Sequence, residues 1–136
     1  MQLATDLGVH PSHVGLARRL VSARLSDWQI NGEVGEYAVL LVSELVTNAM
    51  RHGGEPIRLV ADITSSGLRV EVYDGNCDAF PAIRNIRPDA PGGRGLRLVD
   101  ALADRWGTVE VGDGKCVWFE IDAIDEQDDL RPVRAL

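Results

Sequence analysis

The stretch ELVTNAMRHGG, residues 44–54, decides how this 136-residue chain is interpreted. It completes a run in which apolar residues recur every three or four positions: Val34, Tyr37, Ala38, Leu41, Val42, Leu45 and Ala49. This spacing predicts an amphipathic helix that ends at Gly53-Gly54. Glu44, Asn48 and His52 share one stripe of that helix, because residues four apart are neighbours on a helix surface.

The polar stripe has two explanations. An amide oxygen on a helix can coordinate Mg²⁺, and a carboxylate one turn away can accept a proton from a nucleophile. Alternatively, Glu44 and Asn48 form the solvated edge of an amphipathic helix, which is the more frequent origin of such a pair. The helix alone leaves both open.

The rest of the chain divides into further helices and hairpins. After a short N-terminal lead, helical spacing predicts a helix over 11–26. Alternating apolar residues predict one hairpin over 57–72 and a second around the turn Gly112-Asp113-Gly114, with a helix opening at Gly95 between them. Because strands come in pairs, we expect an α+β fold: a two-layer α/β sandwich with a mostly antiparallel mixed sheet and three helices on one face.

Length, composition and charge narrow the class of protein. We expect one domain over 1–123 and a flexible acidic tail over 124–136. The net charge of −7 disfavours direct nucleic-acid binding. The sequence has no apolar run of the roughly 18 residues that span a bilayer, so we expect no membrane association and a cytoplasmic protein. Cys77 and Cys116 are expected to be reduced thiols.

Two further features could bind a ligand. Asp74 ends a predicted buried strand, where its carboxylate could accept a hydrogen bond from an adenine amino group, although a turn-initiating Asp before Gly75 is equally natural. The run Gly92-Gly93-Arg94-Gly95 precedes a helix, where backbone N–H groups could approach an anion. A flexible hinge without a ligand explains that run equally well.

Familiar nucleotide and metal motifs do not fit. Lys115 follows Gly114 but lacks the Ser or Thr of a P-loop and falls in a predicted hairpin turn. The glycines at 93 and 95 are not followed by the third glycine of a dinucleotide fingerprint. His10 and His13 have no third metal ligand nearby in sequence.

Taken together and in this order, ELVTNAMRH at 44–52, Asp74-Gly75 and GGRGLRLVD at 92–100 resemble the ATP-binding domain shared by gyrase and sensor histidine kinases. The closer resemblance is to the small anti-sigma-factor serine kinases, and it is supported by GLRLVDALADRWG at 95–107 and VWFE at 117–120. The resemblance covers roughly residues 14–121. It implies the Bergerat ATP-binding fold.

The resemblance also implies roles for individual residues. Asn48 would coordinate Mg²⁺ on the ATP phosphates, and Glu44 would be the general base. Asp74 and Gly75 would hold the adenine. The remaining expected nucleotide-binding residues are Arg51 and His52 near the phosphates, the lid hinge and helix start at Gly92, Gly93, Arg94, Gly95 and Leu96, and Cys116 at the position where the last strand commonly offers Thr to the adenine network.

The function implied is an ATP-binding anti-sigma factor with serine kinase activity. Its expected partners are a sigma factor and an anti-sigma-factor antagonist protein, with a possible homodimer. Asn76 and Cys116 depart from the family pattern, and the loop 77–91 matches no family motif closely, so a non-catalytic ATP-binding module that sequesters a partner is the main alternative. A histidine kinase fragment is disfavoured, because no phosphoacceptor helix precedes Pro11.

Overall fold

A computed structural model describes residues 2–75 and 93–122, without the side chains of residues 93–95. The elements in chain order are β1 (Gln2–Leu7), α1 (Ser12–Asp27), α2 (Gly32–His52), β2 (Ile57–Ile63), β3 (Gly67–Asp74), α3 (Gly93–Leu102), β4 (Arg105–Val111) and β5 (Gly114–Asp122). The expected tail over 124–136 and the loop 77–91 lie outside the described residues. The predicted α+β class with three helices is confirmed.

The strands form one open sheet in the order β1-β2-β3-β5-β4. Each of the four pairings between described strands is antiparallel, so the sheet is antiparallel throughout the described part of the chain. β3 and β5 lie in the middle and pair from Gly67 opposite Asp122 to Asp74 opposite Lys115.

The two faces of the sheet differ in chemistry, because successive side chains of a strand point to opposite faces. The face toward the helices, here called the helix-side face, carries the buried residues Leu59, Val70, Val72 and Phe119, which belong to the hydrophobic core formed by the described residues. The opposite face, here called the outer face, carries Arg69, Glu71, Tyr73, Cys116, Trp118 and Glu120. The sheet therefore separates an apolar layer from a polar one.

Helix α2 is the central element of the helical layer. Its buried residues recur at the predicted spacing, and they include Leu41, Val42, Leu45 and Ala49. It packs against both other helices and against β2, β3 and β5. Glu44, Asn48 and His52 therefore belong to the helix at the centre of this layer. No helix in the described part of the chain is long and apolar enough to cross a membrane.

One missed strand and two shifted element starts distinguish the structure from the sequence-based expectations. The N-terminal lead is strand β1, which pairs with β2 along its whole length and buries Leu3 and Leu7. Six residues with two large inward side chains give too weak an alternation to stand out. Helix α3 begins at Gly93, two residues earlier than predicted, and β5 begins at Gly114, inside the predicted turn.

Candidate functional site

The polar stripe of α2 lies where its sequence places it. Glu44 is buried, Asn48 and His52 are half-buried, and Arg51 is exposed in the last turn. Glu44, Asn48 and His52 each interact with other groups of the protein. A carboxylate that is removed from water needs such partners, so the solvated-edge explanation is wrong for Glu44.

Asp74 is the last residue of β3 and points toward the helices. Its side chain is only 2% exposed, and its Oδ2 lies 2.6 Å from the Nζ of Lys115, whose side chain is 6% exposed. The two residues are direct partners in the β3–β5 register, which explains why their side chains meet. The Asp74 carboxylate, which is expected to bind the adenine base of a nucleotide, is thus part of a buried ion pair.

The end of α2 also contacts Asp74. A Cβ added at Gly53, the residue that follows the helix, would stand 2.4 Å from the Cγ of Asp74 and 2.7 Å from the carbonyl oxygen of Ala49. No side chain fits at that distance. Glycine at position 53 therefore allows the carboxylate to pack directly against the end of the helix that carries Asn48 and His52.

Gly75 has a comparable structural role. Its N–H donates a hydrogen bond to the carbonyl oxygen of Gly54 at 2.8 Å. A Cβ at Gly75 would stand 2.3 Å from the carbonyl oxygen of Glu55. This close approach joins the end of β3 to the segment after α2. The Asp74-Gly75 motif and the end of the 44–54 motif are therefore in direct contact.

The third motif begins α3. Gly93, Arg94 and Gly95 form the first turn of the helix, whereas Gly92 lies outside the described residues. Helix α3 packs against α2, so its N-terminal end belongs to the same layer as the polar stripe. Leu96 was predicted to bind the nucleotide, but its side chain is buried in the hydrophobic core. Any contribution of Leu96 to a ligand would come from its backbone.

The prediction for Cys116 needs a correction. Cys116 is opposite Tyr73 in the β3–β5 register and shares the outer face with it, so the sheet separates its thiol from Asp74. The residue that faces Asp74 is Lys115, and nucleotide contact is not expected for Cys116.

Lys115 and Gly53 are the site residues that sequence reasoning missed. A signal for Lys115 was present, because it shares the alternation of Val117, Phe119 and Ile121, which all point toward the helices. Assigning Lys115 to the hairpin turn concealed that alternation. Gly53 was interpreted only as a helix terminator, and its contact with Asp74 depends on tertiary structure.

The outer face carries a separate polar network. Arg69 bonds Glu71 and Glu120, each at 3.1 Å, and its guanidinium stacks over Trp118 at 4.3 Å. Arg105 also bonds Glu120, and this hydrogen bond is the main cause that lowers the pKa of Glu120.

Two further groups on the outer face have shifted pKa values. Burial raises the pKa of the Cys116 thiol to about 11, and burial together with a hydrogen bond to Glu71 raises the pKa of Tyr73 to about 12. Both groups are therefore protonated at neutral pH.

The described cavities do not unite all the predicted groups. A groove of about 660 Å³ between α1 and α2 is lined by residues that include Arg18, Ser43 and Glu44. Asp74, Gly75 and Lys115 line a different hollow of about 430 Å³ at the end of the sheet. The contacts of Gly53 and Gly75 bring Asp74 to the end of α2, but Glu44 lies nine residues before Gly53, about 13 Å along the helix.

The donor set fits a magnesium ion shared with phosphates. No group of three or more His, Cys, Asp and Glu side chains that could hold a metal occurs within residues 2–75 and 93–122. Mg²⁺ usually takes one or two protein oxygens and completes its shell with phosphate and water. The amide oxygen of Asn48, with the Glu44 carboxylate one turn away, suits such a site.

In this two-layer sandwich, the central helix ends against an acidic residue at the end of a central strand of the sheet. A family model described as histidine kinase-like ATPase domain matches residues 8–121. The chain belongs to this family. Membership supports ATP binding as the general function of the domain.

Two solved structures are similar in fold. One contains the RsbU and RsbW domains of Rv1364c from Mycobacterium tuberculosis, with a TM-score of 0.70 and 18% identity, covering 100% of this chain and 34% of that one. The other is the histidine kinase domain of the blue-light activated histidine kinase of Erythrobacter litoralis EL346, with a TM-score of 0.53 and 22% identity, covering 79% of this chain and 64% of that one. This chain therefore spans about a third of the length of the first structure and just under two thirds of the length of the second. No curated protein matches it.

Proposed function

We propose that this chain binds Mg²⁺-ATP and acts as an anti-sigma factor that phosphorylates a serine of an antagonist protein. The observation that carries the proposal is the contact of buried Asp74 with the end of α2, the helix that carries Glu44 and Asn48. An acceptor for a base is thereby packed against the end of the helix that carries oxygen ligands for a metal.

The spacing along α2 matches the two ends of a nucleoside triphosphate. Asp74 lies at the C-terminal end of the helix, whereas Asn48 and Glu44 lie about one and two turns further back. A base held at Asp74 would leave the phosphates to extend toward Asn48. Magnesium, when bound, offsets phosphate charge, and Glu44 would accept the proton of an attacking hydroxyl.

The start of α3 would supply the remaining phosphate contacts. The first-turn N–H groups of a helix have no partner within that helix and attract anions. Gly93 and Gly95 lie in this first turn, in a helix that packs against α2. Backbone donors and the metal would thus act on the same end of the nucleotide.

The proposed partners are a sigma factor and an anti-sigma-factor antagonist protein. This assignment comes from the resemblance of the sequence motifs to anti-sigma-factor serine kinases. The similar Mycobacterium tuberculosis structure includes an RsbW domain beside an RsbU domain. A regulator that works through protein partners agrees with both observations.

Calorimetric titration with Mg²⁺-ATP tests nucleotide binding. We expect saturable heat from the wild-type chain, loss of magnesium-dependent binding in Asn48→Ala, and retained binding in Glu44→Ala. Glu33→Ala is a matched control, because Glu33 is an exposed acid on the same helix and does not line the groove that Glu44 lines. Equal losses in the Asn48 and Glu44 variants would contradict the division of roles.

A non-catalytic module that sequesters its partner is a second candidate, and the ion pair between Asp74 and Lys115 favours it. A buried cation on the base-binding carboxylate could weaken nucleotide binding. Incubation of the chain with γ-labelled ATP and a native cell extract separates the two candidates. Label transfer to an extract protein that disappears in Glu44→Ala supports the kinase, and retained Mg²⁺-ATP binding without transfer supports the sequestering module.

A further inference from the structure

We propose that Lys115 is the specificity-determining residue of the base subsite: by holding Asp74, it weakens selection for the 6-amino group of a purine. This inference rests on the proposed nucleotide binding and extends it to base preference. It concerns a residue that the sequence motifs leave unassigned.

The position of Lys115 is set by strand register. Lys115 is the partner of Asp74 at the end of the β3–β5 ladder, and both side chains point toward the helices. The distance of 2.6 Å between Nζ and Oδ2 is that of a short charge-assisted hydrogen bond. The next pair, Tyr73 and Cys116, points to the outer face.

The surroundings of Asp74 limit how a base can approach it. The Cα of Gly53 packs against the carboxylate and Lys115 bonds one of its oxygens. An ammonium group and the 6-amino group of adenine are both hydrogen-bond donors, so an ammonium on Asp74 uses part of the acceptor capacity available to the amino group and offsets the charge of the carboxylate. The ammonium is charged and its hydrogen bond is the stronger one.

Competition has a measurable consequence for base selection. When a cation already holds Asp74, the 6-amino group adds little to the binding free energy of a purine nucleotide. When the cation is replaced by a short neutral side chain, the amino group gains a hydrogen bond to a charged acceptor, worth roughly tenfold or more in affinity. Lys115 therefore sets how strongly this site prefers adenine.

The test compares two nucleotides on matched variants of the full chain. Mg²⁺-ATP and the Mg²⁺ complex of purine riboside triphosphate, which lacks the 6-amino group, are titrated into wild type and Lys115→Thr. We expect a ratio of affinities within about threefold in wild type, and a preference for ATP larger by about tenfold in Lys115→Thr. Lys115→Arg, which keeps the cation, should keep the wild-type ratio.

Cys116→Thr is the matched control, because it makes the adjacent substitution on the other face of the sheet. Its ratio should equal that of wild type. If Lys115→Thr does not fold, Lys115→Gln replaces it, since a neutral amide can still donate to buried Asp74 and should give a smaller increase in the same direction.

The outcomes separate this inference from the function on which it rests. An unchanged ratio in a folded Lys115 variant assigns Lys115 a purely structural role, and a reduced preference for ATP makes Lys115 itself a ligand of adenine. Either result overturns the inference while nucleotide binding stands. Failure of both nucleotides to bind any folded variant overturns the proposed function and this inference together.

Discussion

Both faces of the sheet contain ion pairs, but the two sets of pairs differ in their exposure to water. On the helix-side face, Asp74 and Lys115 form one ion pair whose side chains are 2% and 6% exposed. On the outer face, Arg69 and Arg105 share Glu120 in a network whose side chains are 23% to 47% exposed. The pairs Asp74–Lys115 and Tyr73–Cys116 are adjacent along the strands and yet point to opposite faces.

The difference shows that burial, rather than the presence of charge, singles out a candidate site. Water screens the outer network, so each of its bonds contributes little. The buried pair has lost its hydration, and neither partner can be removed without leaving a costly charge behind. An ion pair kept in such a place, beside the helix that carries Glu44 and Asn48, is more informative about function than several exposed pairs.

Removing one partner of the buried pair should have the largest effect. We expect Asp74→Ala to lower the free energy of unfolding by about 3–5 kcal/mol, because Lys115 would remain buried without its counter-ion. Glu71→Ala on the outer face should cost about 1 kcal/mol or less, because Arg69 keeps Glu120. Urea unfolding measures both, and similar losses would erase the distinction between the faces.

A substitution that crowds the Asp74 carboxylate without changing any charge should have the next largest effect on the free energy of unfolding. A Cβ at Gly53 would collide with Asp74, whereas a Cβ at Gly54 would have no heavy atom within 4 Å. We expect Gly53→Ala to lower the free energy of unfolding by roughly 1–3 kcal/mol and Gly54→Ala to change it by less than about 1 kcal/mol. Thermal unfolding of the two variants provides the comparison, and equal stability would mean that the Gly53 contact is not restrictive.

The outer network should show its contribution as a small dependence on pH. Arg105 and Arg69 lower the pKa of Glu120, so the bound carboxylate stabilises the fold above the ordinary Glu pKa of about 4.3. That contribution disappears as the pH falls through the lowered native value. Glu120→Gln should therefore cost up to about 1 kcal/mol at pH 7 and progressively less in acid. Urea titrations at several pH values test this, and a difference that grows in acid would reverse the sign.

The smallest expected effect concerns the chemical reactivity of the Cys116 thiol and not the stability of the fold. Its thiol is buried and has a pKa of about 11, so little thiolate is present at pH 8. In a Cys77→Ser background, we expect alkylation by iodoacetamide to be at least tenfold slower in the folded chain than in urea. Equal rates would place the thiol in an open environment.

The sequence predicted the parts of the fold that repeat regularly. The apolar spacing in α2 and the alternation in β2 and β3 each extend over several residues, and the corresponding elements were confirmed. Strand β1 was missed because its inward positions contain only two large apolar residues, Leu3 and Leu7, and its stability depends on pairing with β2.

The site was predictable only as far as local patterns reach. The polar stripe of α2 follows from helical spacing, and Asp74 follows from its place after a buried strand. The partnership of Asp74 with Lys115 depends on the register between β3 and β5, which no local pattern specifies. The role of Cys116 came from the family resemblance, and it does not agree with the position of Cys116 on the outer face.

The most direct test of the central claim is an NMR titration of the ¹⁵N-labelled chain with Mg²⁺-ATP. If the base binds on the helix-side face at Asp74, the amide signals of Gly53 and Gly75 should shift with saturation, while the indole N–H of Trp118, which lies on the outer face beside Arg69, should not. Shifts confined to Trp118 and its outer-face neighbours, or no shift of any amide in the folded chain, would contradict the account.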